Sequence, residues 1–111
     1  MAERRTWQDV RAAHAADDPS FETGVARARL RFDLGQLVYD LRTQAGFTQR
    51  QLAERMGTTQ SAIARLEGGG TNPTVELLHR LGEAVGVRIL LTVDRAGAQP
   101  ATIALSGSMT P

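Results

Sequence analysis

The run FTQRQLAERMGTTQSAIARLEGG, residues 47–69, decides how the rest of the chain is read. Leu52, Ala53 and Met56 fall on one side of a first short helix, and Ala62, Ile63 and Leu66 on one side of a second. Both sets have the spacing of an apolar stripe at 3.6 residues per turn. Gly57 stands where the first helix has to stop, and a residue without a Cβ takes positive φ there at no steric cost. Thr58 and Thr59 follow, and a threonine oxygen can accept a bond from a free N–H in the next first turn. The spacing therefore predicts helices over roughly 49–56 and 60–67, hinged at one glycine.

Two short amphipathic helices joined by a tight turn containing Gly form the helix-turn-helix unit. In that unit the second helix enters the major groove of DNA. The formal net charge of the 111-residue chain is only +1, but its distribution is uneven. From Arg42 to Arg65 there are four arginines (42, 50, 55 and 65) against the single acid Glu54, which nets +3. Local positive charge of this kind favours phosphate contact. The length suits one small domain with appendages. With no Cys, disulfides and thiolate metal sites are excluded, which fits a reducing cytoplasm. No run approaches the ~18 apolar residues of a membrane span, and MAERRTWQDV lacks the apolar core of a secretory signal.

Outward from the central stretch, residues 1–29 read as a helical leader. Trp7, Val10 and Phe21 are more hydrophobic than a solvated tail needs, so they either dock on the domain itself or anchor a partner protein. Asp17-Asp18-Pro19-Ser20 reads as a break. From about Ala28, Leu30, Leu34, Leu37, Val38, Leu41 and Ala45 predict one apolar helix face. Gly35 costs that helix about 1 kcal/mol relative to Ala, and Gly46 ends it. Gly68-Gly69-Gly70 reads as a flexible loop. Thr74 caps a further helix with Leu77, Leu78, Leu81 and Val85 inward, and Gly86 ends it. The helix-turn-helix domain thus spans 30–86. The period then changes to two: Val87, Ile89, Leu91 and Val93 share a half-buried strand face, and 101–106 form a second strand. A lone hairpin is marginal in water. The hairpin of 87–106 is therefore expected to pack on the helices or against a second copy, leaving 107–111 as a disordered tail.

The run from Thr48 to Gly69 closely resembles the helix-turn-helix of the Cro/C1-type (XRE) repressors of lambdoid phages. That family shows a TQ-x-x-LA-x-x-x-G-x-x-x-x-x-I-x-x-x-E-x-G pattern, matched here by Thr48, Gln49, Leu52, Ala53, Gly57, Ile63, Glu67 and Gly69. The resemblance covers roughly residues 34–85. It implies a mainly α, lambda-repressor-like helix-turn-helix bundle, here with a C-terminal β-hairpin. The layout of leader, single domain and hairpin is similar to HigA-type antitoxins. These pair with a toxin of the RelE/HigB class and repress their own operon.

The resemblance also implies roles. Gln49, at the start of the first paired helix, holds a phosphate with its amide and the helix N-terminus. Gln60 has the geometry to bond adenine N6 and N7 together, with Ser61 and Arg65 reaching neighbouring bases or the backbone. Thr59, Thr71 and Asn72 offer phosphate contacts from loop positions, which set register and not sequence. Arg42 and Glu67 match a family salt bridge and are read as structural. One such unit makes few base contacts, so a homodimer on a palindromic site in double-stranded DNA is expected, with recognition helices about 34 Å apart.

The competing readings are a stand-alone XRE-family regulator without a toxin, and an adaptor whose helix-turn-helix no longer binds DNA. An enzyme is not expected, because His14 and His79 are far apart and the carboxylates are scattered. The triple glycine lacks the GxxxxGK[ST] or GxGxxG setting of a phosphate loop. No metal or cofactor is expected.

Overall fold

A computed structural model describes residues 19–107, with side chains from residue 23 onward. The described residues form helices α1 (Pro19–Gln44), α2 (Gln49–Met56), α3 (Gln60–Glu67) and α4 (Val75–Val85), then strands β1 (Leu90–Val93) and β2 (Ala101–Ala104). The helices of the central stretch fall at the expected residues. Trp7, Val10 and the tail 108–111 lie outside the described residues, as does the side chain of Phe21, although its backbone sits in the first turn of α1.

α1 corrects the reading most. It begins at Pro19 instead of Ala28 and runs unbroken for 26 residues, about 39 Å at 1.5 Å per residue. The boundary expected between residues 29 and 30 falls inside it. Proline at the first helical position loses no bond, because that N–H has no partner within the helix, and its φ already suits the helix. The apolar face is also narrower than expected. Val38 is fully buried and Leu41 packs on the core, whereas Leu30 is 59% exposed and Leu37 41%.

The core is Val38 from α1, Leu52, Ala53 and Met56 from α2, Ile63 and Leu66 from α3, and Leu81 from α4. Phe47, Leu77, Leu78, Val85 and Ile89 close its edge. Side-chain caps start three of the helices. The Thr48 hydroxyl accepts the Gln51 N–H while the Gln51 amide accepts the Thr48 N–H, a capping box. Thr59 and Thr74 cap α3 and α4 through Ala62 N–H and Leu77 N–H. Gly57 takes φ 70° and its N–H bonds Ala53 and Glu54 carbonyls, ending α2.

Two glycines serve close contact. A Cβ on Gly35 would lie 2.5 Å from the Leu66 carbonyl oxygen and 2.7 Å from that of Glu67, so α1 and α3 cross backbone to backbone. Gly69, with φ 76°, has its missing Cβ position 3.4 Å from Phe32 Cα. The expected flexible loop is therefore a fitted connection seated on α1, and Gly70 N–H bonds the Arg65 carbonyl at 2.8 Å.

Among the described residues, the hairpin docks by its root. Ser106 is buried where Gly82 leaves space, accepting from Ile89 N–H (2.7 Å) and donating to the Val87 carbonyl (2.9 Å). His79 Nδ1–H donates to the Leu105 carbonyl, and Gly107 N–H, at the start of the expected disordered tail, to Glu83. Beyond that root the strands are shorter than expected and exposed along their length. Pairing sets Leu91 opposite Ile103 and Val93 opposite Ala101, so one face of the hairpin is wholly apolar. Ile89 at its inner end reaches the core, but Leu91, Val93 and Ile103 are 49–59% exposed. The expected half-buried face is covered at its root, at Val87 and Ile89, because the described helices already close the core among themselves.

Candidate nucleic-acid interface

α3 divides cleanly between a buried and an exposed side. Ile63, Leu66 and Glu67 are buried, whereas Gln60, Ser61, Ala64 and Arg65 are exposed. The exposed four recur at one-turn spacing, so they share a face. The hinge at Gly57 and the Thr59 cap fix where that face begins. The sole carboxylate of α3 points inward, so the outer face carries amide, hydroxyl and guanidinium groups and no negative charge. Such a face can donate to base edges and phosphates without repelling either.

Arg42 and Gln49 both donate to Glu67. Arg42 Nε and Nη2 donate to its two oxygens at 2.6 and 3.1 Å, and Gln49 Nε2 donates at 3.1 Å. Arg42 Nη1 also donates to the Phe47 carbonyl at 2.9 Å, and the guanidinium lies 5.2 Å from the Tyr39 ring centroid. The hydrogen bond to Glu67 raises the Arg42 pKa above its ordinary value. One bidentate pair therefore joins α1, the loop after it, the start of α2 and the end of α3. It sets how the exposed face of α3 is presented.

Gln49 makes a bond that its sequence-based role did not include. Its amide turns inward to Glu67 and is half-buried, leaving its other amide hydrogen for a phosphate. Nothing in the sequence motif signals this inward bond, which depends on where the end of α3 comes to rest. Thr59 spends one oxygen lone pair on the cap and retains its hydroxyl hydrogen as a donor. Asn72 is exposed and Thr71 half-exposed, both in the connection beyond α3. Arg50 pairs loosely with Glu54 at 3.6 Å on the surface, an arrangement worth little. Arg55 stacks 4.5 Å over the Phe47 ring. The Thr48–Gln51 capping box went unread in the sequence, although T-x-x-Q before an apolar run is its local signal.

Among the described residues no group of three His, Asp or Glu side chains is placed to hold a metal ion. No described helix is long and apolar enough to cross a membrane.

Among the described residues, four packed helices with a capped second hinge helix that exposes one polar face have the architecture of a helix-turn-helix DNA-binding unit. The helix-turn-helix family profile matches residues 38–91. An HTH-type transcriptional regulator of Methanothermobacter thermautotrophicus is 36% identical over 66 residues, which cover 57% of this chain and 96% of that protein. The HTH-type regulator y4dJ of Sinorhizobium fredii is 43% identical over 47 residues, covering 42% of this chain and 61% of y4dJ. One from Haemophilus influenzae is 37% identical over 65 residues, 59% of this chain and 66% of that protein. All three are named as uncharacterised. No solved structure matches the chain. The chain belongs to the helix-turn-helix family of transcriptional regulators, and its mainly helical bundle fits the lambda-repressor-like fold.

Proposed function

We propose that this protein is a sequence-specific transcriptional repressor that binds a palindromic operator as a homodimer. The observation that carries the reading is the acid-free outer face of α3, with Gln60, Ser61 and Arg65 exposed side by side. Gln60 and Arg65 read base edges, Ser61 adds a short-range contact, and Gln49, Thr59, Thr71 and Asn72 hold the backbone. The test uses a duplex recovered by selection from a random library with the full chain. Gln60→Ala with Arg65→Ala should lower affinity for that duplex by roughly 30-fold or more, given about 1–3 kcal/mol per good base contact. The melting temperature should be unchanged, because both side chains are exposed. Equal affinity of variant and wild type would remove α3 as the reading helix.

The second copy is best supported at the hairpin. Its apolar face of Leu91, Val93, Ala101 and Ile103 is self-complementary, and a two-stranded sheet gains from added partners. Light scattering should give twice the 12.0 kDa chain mass, and Ile103→Asp should return it to the monomer. A wild-type monomer both with and without operator duplex would sink the dimer.

The narrower role is that of an antitoxin to a RelE/HigB-class toxin, and it rests on the layout of leader, single domain and hairpin. The stand-alone regulator is its rival, since the relatives' names speak of regulation alone. A basic reading frame of about 100 residues beside this gene, whose product co-purifies with the chain, separates the two.

A further inference from the structure

The helix-turn-helix is not the only polar surface that converges near the end of α3. An open groove of about 320 Å³ lies between the N-terminal half of α1 and the connection after α3, lined by Arg27, Leu30, Arg31, Leu34, Asn72 and Pro73. Arg27 and Arg31 are one helical turn apart, so they rise from the same face with Cβ atoms about 6 Å apart. Neither forms an ion pair among the described residues, in contrast to Arg29, which reaches Asp33, and Arg50, which reaches Glu54. Both therefore line the groove without an ion-pair partner among the described residues.

The connection after α3 leads from the end of the reading helix to the groove. Arg65, in the last turn of α3, holds Gly70 N–H through its carbonyl. Gly69 is seated against α1 at Arg31 and Phe32. Two residues beyond Gly70 the chain delivers Asn72 to the groove. A track along the chain thus runs from Arg65 to Asn72, which shares the groove lining with Arg31 and Arg27. Because α1 begins at Pro19, this track extends past what the helix-turn-helix alone provides.

We propose that Arg27 and Arg31, with Asn72, form a second phosphate-holding site that grips the DNA backbone flanking the bases read by α3. This rests on the reading of the protein as a DNA binder and adds to it a footprint set by the front of α1. Leu30, Leu34 and Pro73 supply the apolar part of the lining, and the two guanidinium forks suit phosphate oxygens. Contacts of this type set affinity and register and leave base preference untouched.

The test compares wild type with Arg27→Gln plus Arg31→Gln on the selected duplex, by fluorescence anisotropy across a salt series. Each lost phosphate contact should flatten the slope of log K against log salt concentration by about 0.9, so the double variant should be flatter by about 2. Affinity near 0.15 M salt should fall on the order of tenfold, equally for selected and scrambled duplexes. Arg27→Lys plus Arg31→Lys should recover most of the slope, and a thermal melt of each variant should match wild type. An unchanged slope and affinity in a folded glutamine variant would place the groove off the duplex and overturn the proposal. If wild type itself selects and binds no duplex, the DNA reading fails and this site fails with it.

Discussion

A Gly35→Ala variant is expected to melt about 10 °C or more below wild type, corresponding to roughly 2 kcal/mol or more for a domain of this size. A β-carbon there would sit 2.5 Å from the Leu66 carbonyl oxygen and 2.7 Å from that of Glu67. Both are backbone atoms at the end of α3, so no side chain can rotate away to relieve the clash. The two helices would have to separate along a crossing that also buries Val38 and Leu66. The opposing effect is helix propensity, which favours Ala over Gly by about 1 kcal/mol. Sterics should win at Gly35 because the obstructing atoms are rigid. At Gly24, in the same helix, a Cβ would meet nothing within 4 Å, so propensity should win and Gly24→Ala should raise the melting temperature by a few degrees. Circular dichroism melts of both variants decide the matter. A Gly35→Ala protein as stable as wild type would mean that α1 and α3 part freely, and the close crossing would not be a constraint on the fold.

The same contrast explains what could be read in advance. The hinge of α2 and α3 was legible because its signals are local: Gly57 ends a helix, Thr59 caps the next, and the apolar stripes lie within eight residues. Gly35 has no such signal. From sequence it is a mildly costly residue in a helix, and its need becomes visible only when the end of α3 arrives beside it. The start of α1 was missed for another reason. Asp-Asp-Pro-Ser was read as a break, yet proline is as much at home in the first turn of a helix as after its end. What lay upstream of the expected helix was thus its first nine residues.

The hairpin shows the limit of periodicity. Alternation at 87–93 separates two faces, and β1 and β2 do place Leu91, Val93, Ala101 and Ile103 together. Alternation says nothing of what covers a face. Here Gly82 and Ser106 fix the root of the hairpin on α4, and the helices satisfy their own core, so the outer apolar residues project beyond it. The site divides in the same way. The exposure of Gln60, Ser61 and Arg65 follows from helical spacing alone. The inward turn of Gln49 follows from a carboxylate 18 residues away, and the groove of Arg27 and Arg31 from an unexpected length of α1.

Arg42→Ala is expected to cost about 3–5 kcal/mol, because it takes from the buried Glu67 carboxylate its bidentate cation. The gain from attraction between the two ions is the smaller part of the argument. Glu67 is 5% exposed, and with Arg42 gone it keeps the neutral amide of Gln49 in place of a bidentate cation. The Phe47 carbonyl loses its guanidinium donor as well. At about 4–8 °C per kcal/mol, the melting temperature should drop by more than about 10 °C. Removing the remaining charge is the control: Arg42→Met with Glu67→Leu should recover much of the loss, since apolar replacements of a buried pair are often neutral or stabilising. Duplex affinity measured well below the midpoint of Arg42→Ala should change far less than for the Gln60 and Arg65 double variant. An Arg42→Ala protein that keeps the wild-type melting temperature but loses DNA would reverse the assignment, moving Arg42 from the brace of the fold to the face that meets phosphate.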